Sequence, residues 1–215
     1  MYYLLLIITA ILAYGFGSLS TLTIASLYVY KKNLRKLGRG NVWLSNFRRI
    51  YGFGGLLVLL LVELVKDILP VVIGGLLLGI KGHADVGRVF AGFCLIVGRQ
   101  WPLFYDLKGS FATVAIIVTA FFTDLSVGIA ALAAAALLIW LTKYLSLGSL
   151  AAAAVTLVTA LLVVEQRLLV YLSLAVLLVV LARNIPCVIR IFRGTETKLS
   201  LEKDLSYKFD GGYDR

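Results

Sequence analysis

Histidine, cysteine and acidic residues are scarce in this chain of 215 residues. The only histidine, His83, stands apart from every other polar cluster, which excludes a histidine-based catalytic dyad and a histidine-rich metal site. Cys94 and Cys187 have no metal or redox spacing and are too few for a disulfide framework, so we interpret them as packing residues. Oxygen-rich ligand clusters are also lacking beside the basic stretches. The sequence therefore predicts neither a metal site nor a cofactor.

Charged residues make up only 15% of the sequence, whereas 61% of it is hydrophobic. A soluble domain of this length is far less apolar, so we predict an integral, multi-pass protein of the cell membrane. We expect residues 1–30 to be retained as a membrane helix, because they end without a small-residue cleavage site.

The apolar runs divide at charges and glycine-rich joints into about seven segments, most of them close to the ~20 residues that cross a hydrocarbon core. The fourth segment is short, and we expect it either to end inside the bilayer or to pair with the fifth as a helical hairpin. The prediction is an all-α protein with transmembrane helices at approximately 3–30, 51–80, 89–105, 111–124, 126–143, 147–164 and 168–183.

Basic residues outnumber acidic residues by 21 to 11, which gives a net charge of +10. Much of the excess lies in two clusters, residues 31–49 and the stretch from Arg183 to the end. Basic loops of membrane proteins usually face the cytoplasm and anionic lipid, so we predict the N-terminus outside and the C-terminus inside, with no nucleic-acid partner. Residues 1–196 are predicted to form a single polytopic domain, and residues 197–215 a polar cytoplasmic tail.

Three charges interrupt the second apolar run. Glu63, Lys66 and Asp67 have i, i+3 and i+4 spacing, which places them on one helix face and allows pairing within the helix. Intramembrane charge favours a functional site, whereas pairing beside a kink at Pro70 favours a purely structural cluster. Arg99, next to the aromatic stretch "WPLFY", is expected to extend to the lipid headgroups.

Two stretches have the polar and glycine content of phosphate-binding loops. "GRGNVWLSNFRR" breaks any helix with its glycines and adds asparagine, serine and arginine to a preceding basic run. "KGSFAT" places a lysine and a glycine at the start of a helix, where free backbone N–H groups bind anions. Each signal is weak alone, and together they indicate a phosphate site on the basic side of the membrane.

Four stretches resemble motifs of one family in the family's order. "GRGNVWLSNFRRIYG" is similar to G-S-G-N-x-G-A-T-N-x-x-R-x-x-G, and "ELVKDILP" to D-x-x-K-G-x-x-P. "GRQWPLFYDLKGSFAT" is similar to G-H-x-x-P-x-F-x-x-F-K-G-G-K-G-V-A-T, and "RNIPCVIRIFRGTE" to R-H-x-x-N-I-x-R-L-x-x-G-x-E. Gly17 and Ser18 also match a Gly-Ser pair in the first helix. The chain thus resembles the PlsY family, bacterial membrane acyltransferases that acylate glycerol 3-phosphate from acyl-phosphate, and is identified as a divergent member with that family's seven helices.

The resemblance implies that phosphate and substrate are bound by Asn41, Asn46, Arg49, Lys108, Arg183 and Arg190. Supporting loop positions are Gly38, Arg39, Gly40, Ser45, Gly109 and Glu196. The chain departs from the family pattern at several of these motifs, with Arg39 for serine, Asp67 for glycine, Arg99 and Asn184 for histidines, and Cys187 for asparagine. An acyl-phosphate is already activated, so positive charge and alignment are the main requirements, and no residue is assigned as a nucleophile.

Three functions follow as alternatives. The first is the family's reaction, in which a fatty acyl group moves from acyl-phosphate to glycerol 3-phosphate or a related phosphorylated alcohol to give lysophosphatidic acid for phospholipid synthesis. The second is a binding or regulatory protein that has kept the phosphate pocket and lost turnover. The third is a small transporter that uses Glu63, Lys66 and Asp67 as its pathway.

Overall fold

The computed structural model describes residues 1–24, 44–103 and 109–194, and for residues 23–24 and 44–51 it describes the backbone alone. These described ranges contain helices and no strand. The helices are α1 (Tyr2–Ser18), α2 (Thr21–Ile24), α3 (Leu44–Gly79), α4 (Ala84–Gln100), α5 (Thr113–Thr123), α6 (Leu125–Thr142), α7 (Leu145–Val163) and α8 (Arg167–Phe192). The all-α prediction is confirmed for this part of the chain.

Two compact units divide the chain. The first contains Met1–Leu19 and Lys66–Lys198, and therefore α1, the later part of α3 and all helices from α4 onward. The second contains Ser20–Val65 and Leu199–Arg215, of which α2 and the earlier part of α3 are described. In the second unit, Gly52 has a positive φ of 69° and interrupts the regular helix, a backbone conformation that glycine adopts without steric cost.

Apolar surface covers the outside of the helices. Among the described residues, α6, α7 and α8 are each long and apolar enough to cross a membrane. Large side chains on them remain exposed, including Trp140 at 75% and Leu162 at 80%. Such exposure is costly in water and normal in lipid, which agrees with the predicted membrane protein.

Alanine and glycine allow α6 and α7 to pack closely. Ala131, Ala135, Ala152 and Ala153 are fully buried, or within one percent of it. A Cβ atom at Gly148 of α7 would collide with the Ile139 side chain of α6. These small residues let the two helix backbones approach closely, as is common for helices in a membrane.

Glycines also bring α1 against α4. A Cβ at Gly17 would overlap the carbonyl oxygen of Leu95, and one at Gly98 would overlap the carbonyl oxygen of Tyr14. The close approach allows the Tyr14 hydroxyl to donate to the Trp101 carbonyl at 2.6 Å. The ends of α1 and α4 are therefore held together.

Several predicted helix ends were wrong. The third helix, predicted at 89–105, is α4 and spans Ala84–Gln100. The first predicted helix, 3–30, is interrupted after Ser18 by an extended residue, Leu19, which an apolar run does not reveal. The last one was predicted to end at 183, yet α8 continues through Pro186 to Phe192. Proline removes one backbone donor, and membrane helices tolerate that loss when neighbouring groups satisfy the freed carbonyl. Pro70 likewise lies inside α3 without ending it.

The helix α5 is short, as predicted. Its 11 residues span about 16 Å, roughly half of the hydrocarbon core. It turns at Asp124, whose carboxylate caps α6 by accepting from the Ser126 N–H at 2.8 Å. The predicted hairpin of the fourth and fifth helices corresponds to α5 and α6, which pack together.

Candidate functional site

A buried ion pair joins α3 and α4. The Arg99 Nη1 atom lies 3.0 Å from Oδ2 and 3.3 Å from Oδ1 of Asp67. Asp67 is fully buried and Arg99 is 8% exposed, so both charges are removed from solvent. Isolated charges at such a place are very costly, and the pair makes them tolerable. The prediction that Arg99 extends to the headgroups was therefore wrong.

Lys66 adds a second cation beside the same carboxylate. Its Nζ atom lies 3.7 Å from Oδ1 of Asp67 and donates to the Leu19 carbonyl at 3.0 Å. Leu19 is the C-cap of α1, where a cation is favoured by the helix dipole. Lys66 and Asp67 thus form one of the pairs within the helix that the sequence allows. Glu63 is also buried, at 6% exposed, and belongs to the other unit.

The segment 109–112, which leads into α5, is held at two carbonyl groups. Arg99 Nε donates to the Phe111 oxygen at 3.0 Å, and Arg183 Nη2 of α8 donates to the Gly109 oxygen at 3.0 Å. Gly109 itself lies against the end of α4, because a Cβ there would overlap the carbonyl oxygen of Arg99. The segment is therefore bonded to side chains of α4 and α8, and a residue larger than glycine at 109 would collide with the α4 backbone.

The far part of α8 presents one polar face. Arg183, Cys187 and Arg190 are spaced i, i+4 and i+7, and Arg190 Nη2 donates to the Cys187 sulfur at 3.1 Å. Arg183 and Arg190 are both half-buried. Asn184 is 2% exposed and donates to the Val180 carbonyl. No carboxylate of the described residues forms an ion pair with Arg183, so its charge is not neutralised within this part of the chain.

The lengths of the helices locate these groups relative to the opposite end of the unit. Asp67 lies about 18 Å of helix before Gly79, and Arg99 about 22 Å after Ala84. Arg183 lies about 24 Å along α8 from Arg167. These lengths place the cluster toward the end of the unit that is opposite the 81–83 turn.

Neither a histidine nor a group of metal ligands lies near this cluster among the described residues. His83 is the N-cap of α4, about 24 Å of helix away from Arg99. The described residues contain no group of three or more potential metal ligands from histidine, cysteine, aspartate and glutamate. The cluster is instead cationic and rich in hydrogen-bond donors, which suits phosphate.

Of the residues predicted to bind substrate, the structure brings Arg183 to Gly109, and it places Arg190 two helical turns beyond Arg183. Ser45, Asn46 and Arg49 lie in α3, where only the backbone is described. The remaining predicted positions, Gly38, Arg39, Gly40, Asn41, Lys108 and Glu196, lie outside the described residues, as does the tail 197–215.

Comparison with known proteins gives these features a context. The family model for glycerol-3-phosphate acyltransferase matches residues 7–194. The chain belongs to this family. The match includes most of α1, the 109–112 segment and all of α8, and it confirms the resemblance found in the motifs. The chain is accordingly an integral membrane acyltransferase.

Individual members of the glycerol-3-phosphate acyltransferase family match over nearly their full length. The protein of that name from Shouchella clausii (strain KSM-K16) is 33% identical over 202 residues, which cover 90% of this chain and 96% of the relative. The one from Thermoanaerobacter pseudethanolicus (strain ATCC 33223 / 39E) is 26% identical over 200 residues, covering 93% and 98%.

Crystal structures show the same fold. PlsY (YgiH), an integral membrane glycerol 3-phosphate acyltransferase, matches in its glycerol 3-phosphate form with a TM-score of 0.72 at 18% identity, covering 91% of this chain and 96% of PlsY. Its lysophosphatidic acid form matches with a TM-score of 0.71 at 19% identity, covering 95% and 99%. At these identities the likeness concerns the fold alone.

Proposed function

We propose that this chain transfers a fatty acyl group from an acyl-phosphate to a hydroxyl of glycerol 3-phosphate, which gives lysophosphatidic acid and inorganic phosphate. Membership of the glycerol-3-phosphate acyltransferase family supports the acceptor and the product. The PlsY structures with the same fold are a glycerol 3-phosphate form and a lysophosphatidic acid form. The acyl-phosphate donor is supported by the motif resemblance.

The hydrogen bond from Arg183 to the Gly109 carbonyl is the observation on which the proposed site depends. These residues belong to two motifs that lie 74 positions apart in the sequence. The contact brings the Arg183 side chain to Gly109, the first residue of the segment that precedes α5. Arg183 has no ion pair with a carboxylate in the described part of the chain. Both motifs were predicted to bind phosphate, and their proximity makes one common site the simplest arrangement.

The chemistry needs no nucleophile from the protein. The acceptor hydroxyl oxygen forms a bond to the acyl carbon, and the bond from that carbon to the phosphate oxygen breaks. The electron pair of the broken bond leaves with phosphate, which also takes the hydroxyl proton. The protein supplies cations that offset the charge of two phosphate groups and donors that align the hydroxyl with the carbonyl.

Two arginines of α8 have separate places in this scheme. Arg183 lies beside Gly109, and we assign it to the phosphate group nearest the reacting acyl carbon. Arg190 lies about 10 Å further along the helix, toward the headgroup level. The motif resemblance adds Asn41, Asn46, Arg49 and Lys108 to the proposed substrate-binding residues, with the supporting positions of their loops.

The orientation in the membrane is part of the proposal. Seven membrane helices with the N-terminus outside and the C-terminus in the cytoplasm place the basic stretches 31–49 and 183–193 on the cytoplasmic side. The 81–83 turn and the 164–166 turn then face outward. This arrangement opens the cationic site to a soluble phosphorylated substrate from the cytoplasm.

Kinetics of purified protein test the site. Arg183→Ala is expected to lower kcat/KM for glycerol 3-phosphate by at least about tenfold, since a charge-assisted hydrogen bond to phosphate contributes ~1.5–3 kcal/mol. Lysophosphatidic acid is quantified after incubation with palmitoyl phosphate and glycerol 3-phosphate, and Lys108→Ala is measured alongside.

The matched control is Arg167→Ala. Arg167 is an exposed arginine at the opposite end of the same helix, so its loss removes the same charge away from the site. Equal kinetics of Arg183→Ala and Arg167→Ala would contradict the site. Binding of glycerol 3-phosphate without product, at enzyme concentrations that give many expected turnovers, would show a binding protein instead of an enzyme.

Labelling of single introduced cysteines tests the orientation. Lys81 and Lys143 are exposed in turns at opposite ends of the helices, and both native cysteines are buried. A membrane-impermeant maleimide added to intact cells is expected to label Lys81→Cys and to leave Lys143→Cys unlabelled until the cells are opened. The reverse pattern would overturn the orientation.

A further inference from the structure

We propose that Asp67 and Arg99 are positioning residues for the acyl transfer: their buried pair holds the 109–112 segment in place and thereby fixes the Arg183 side chain in the substrate site. This inference rests on the function proposed above. It gives a role to two residues outside the predicted set of substrate-binding residues.

The guanidinium group of Arg99 makes two kinds of contact at once. Its Nη1 atom donates to the carboxylate of Asp67, while its Nε atom donates to the Phe111 carbonyl at 3.0 Å. The carboxylate is fully buried, which fixes the orientation of the planar group. A guanidinium fork serves two acceptors in different directions, and the point charge of a lysine ammonium does not reproduce that geometry.

The segment held by Arg99 is also the one that Arg183 contacts. Gly109 and Phe111 are two residues apart, and each carbonyl accepts from a different arginine at 3.0 Å. Asp67 neutralises Arg99, whereas Arg183 has no ion pair with a carboxylate of the described residues. The charge of Arg99 is thus used in a structural ion pair. The charge of Arg183 remains available to bind a phosphate group.

Asp67 and Arg99 also depart together from the family pattern. The motifs that the chain resembles have glycine at the position of Asp67 and histidine at the position of Arg99, 32 residues away. In this structure the two departures form one neutral pair. A buried cation gained at one position is compensated by an anion gained at the other, so each makes the other tolerable.

Arg99→Lys separates positioning from charge compensation. The lysine keeps a cation beside Asp67 and removes the Nε donor to Phe111. We expect KM for glycerol 3-phosphate to rise at least tenfold. We also expect at least tenfold faster amide hydrogen exchange at the start of α5, where the Ile116 N–H donates to the Ala112 carbonyl at 2.9 Å, with unchanged exchange in α6 and α7. The matched control is Arg88→Lys, since Arg88 pairs with exposed Asp85 at 2.9 Å near the other end of α4.

Asp67→Asn is the second variant, and it is expected to accelerate the same exchange because Arg99 loses its anchor. Exchange of the Ile116 amide that is unchanged in Arg99→Lys would overturn the positioning role, whatever the activity. Faster exchange with unchanged KM would also overturn the positioning role. The position of the segment would then not determine how the Arg183 side chain binds substrate. Wild-type protein that neither binds nor acylates glycerol 3-phosphate would refute the proposed function, whereas the exchange result tests the hold on the segment independently.

Discussion

Gly109→Ala is the substitution whose effect on activity the structure defines most closely. A Cβ at this position would lie 2.5 Å from the Gln100 carbonyl oxygen and still closer to that of Arg99. Both atoms belong to the backbone, so no side chain can rotate away. Real Cβ atoms essentially never lie within 3.0 Å of such neighbours, and the segment therefore has to move by roughly 1 Å.

The size of the effect follows from that movement. A displacement of about 1 Å in a site that works by alignment costs roughly 100-fold in rate, equivalent to about 2.7 kcal/mol of transition-state stabilisation. The strain of an added methyl group in a packed region costs a further ~1–3 kcal/mol of folding free energy. We therefore expect kcat/KM to fall about 100-fold in protein that remains folded at assay temperature.

Initial rates of lysophosphatidic acid formation, with circular dichroism melting on the same samples, measure both effects. Gly15→Ala is the matched control, because Gly15 lies in α1 and a Cβ there meets nothing within 4 Å. It is expected to retain full activity. If Gly109→Ala had kcat/KM within twofold of the wild type, the contact between the segment and α4 would not matter for catalysis.

Three further predictions concern stability, each measured by thermal unfolding in detergent. Gly98→Ala should destabilise the protein by ~1–3 kcal/mol, because its Cβ would overlap the Tyr14 carbonyl and push α1 from α4; an unchanged Tm would refute this packing. Tyr14→Phe should cost about 1 kcal/mol through loss of the hydrogen bond to Trp101, and no loss would show that the bond contributes nothing. Hydrogen bonds from Ser126 lower the pKa of Asp124 below its ordinary 3.8, so the cap stabilises above that pH and is lost as the pH falls through the lowered pKa. The Tm difference between wild type and Asp124→Ala should therefore shrink in acid, and a difference that grew in acid would reverse the assigned sign.

Apolar length and small residues were sufficient to predict much of the helical layout. The predicted 126–143 and 147–164 helices agree with α6 and α7 within about two residues, because charged or polar turns end both runs. The end of the first helix was missed because no charge divides residues 1–30, and the serines on either side of Leu19 did not stand out as a break. The end of α8 was misjudged because the apolar run was divided at the charged Arg183, whereas lipid favours continued helix when the alternative is unpaired backbone.

The candidate site was predictable in part. The motifs identified Gly109 and Arg183, and the structure brings them together. The Arg99 partner of Asp67 was missed, because the i, i+3 and i+4 spacing directed attention to pairing within α3, and nothing local indicates a contact across 32 positions. A signal was present in the motif comparison, where a cation and an anion both replace uncharged or weakly basic residues. Two departures from a family pattern that introduce opposite charges therefore indicate a contact between the two residues.

The ratio of phosphate released to lysophosphatidic acid formed tests the central claim most directly. Purified wild-type protein is supplied with palmitoyl phosphate and glycerol 3-phosphate, and both products are quantified during the linear phase. We expect a ratio of one to one, because the bond that breaks in the donor is the acyl carbon to phosphate oxygen bond. Phosphate release above that of the protein-free control without lysophosphatidic acid, or no product at all, would contradict the assignment of this chain as an acyl-phosphate-dependent acyltransferase.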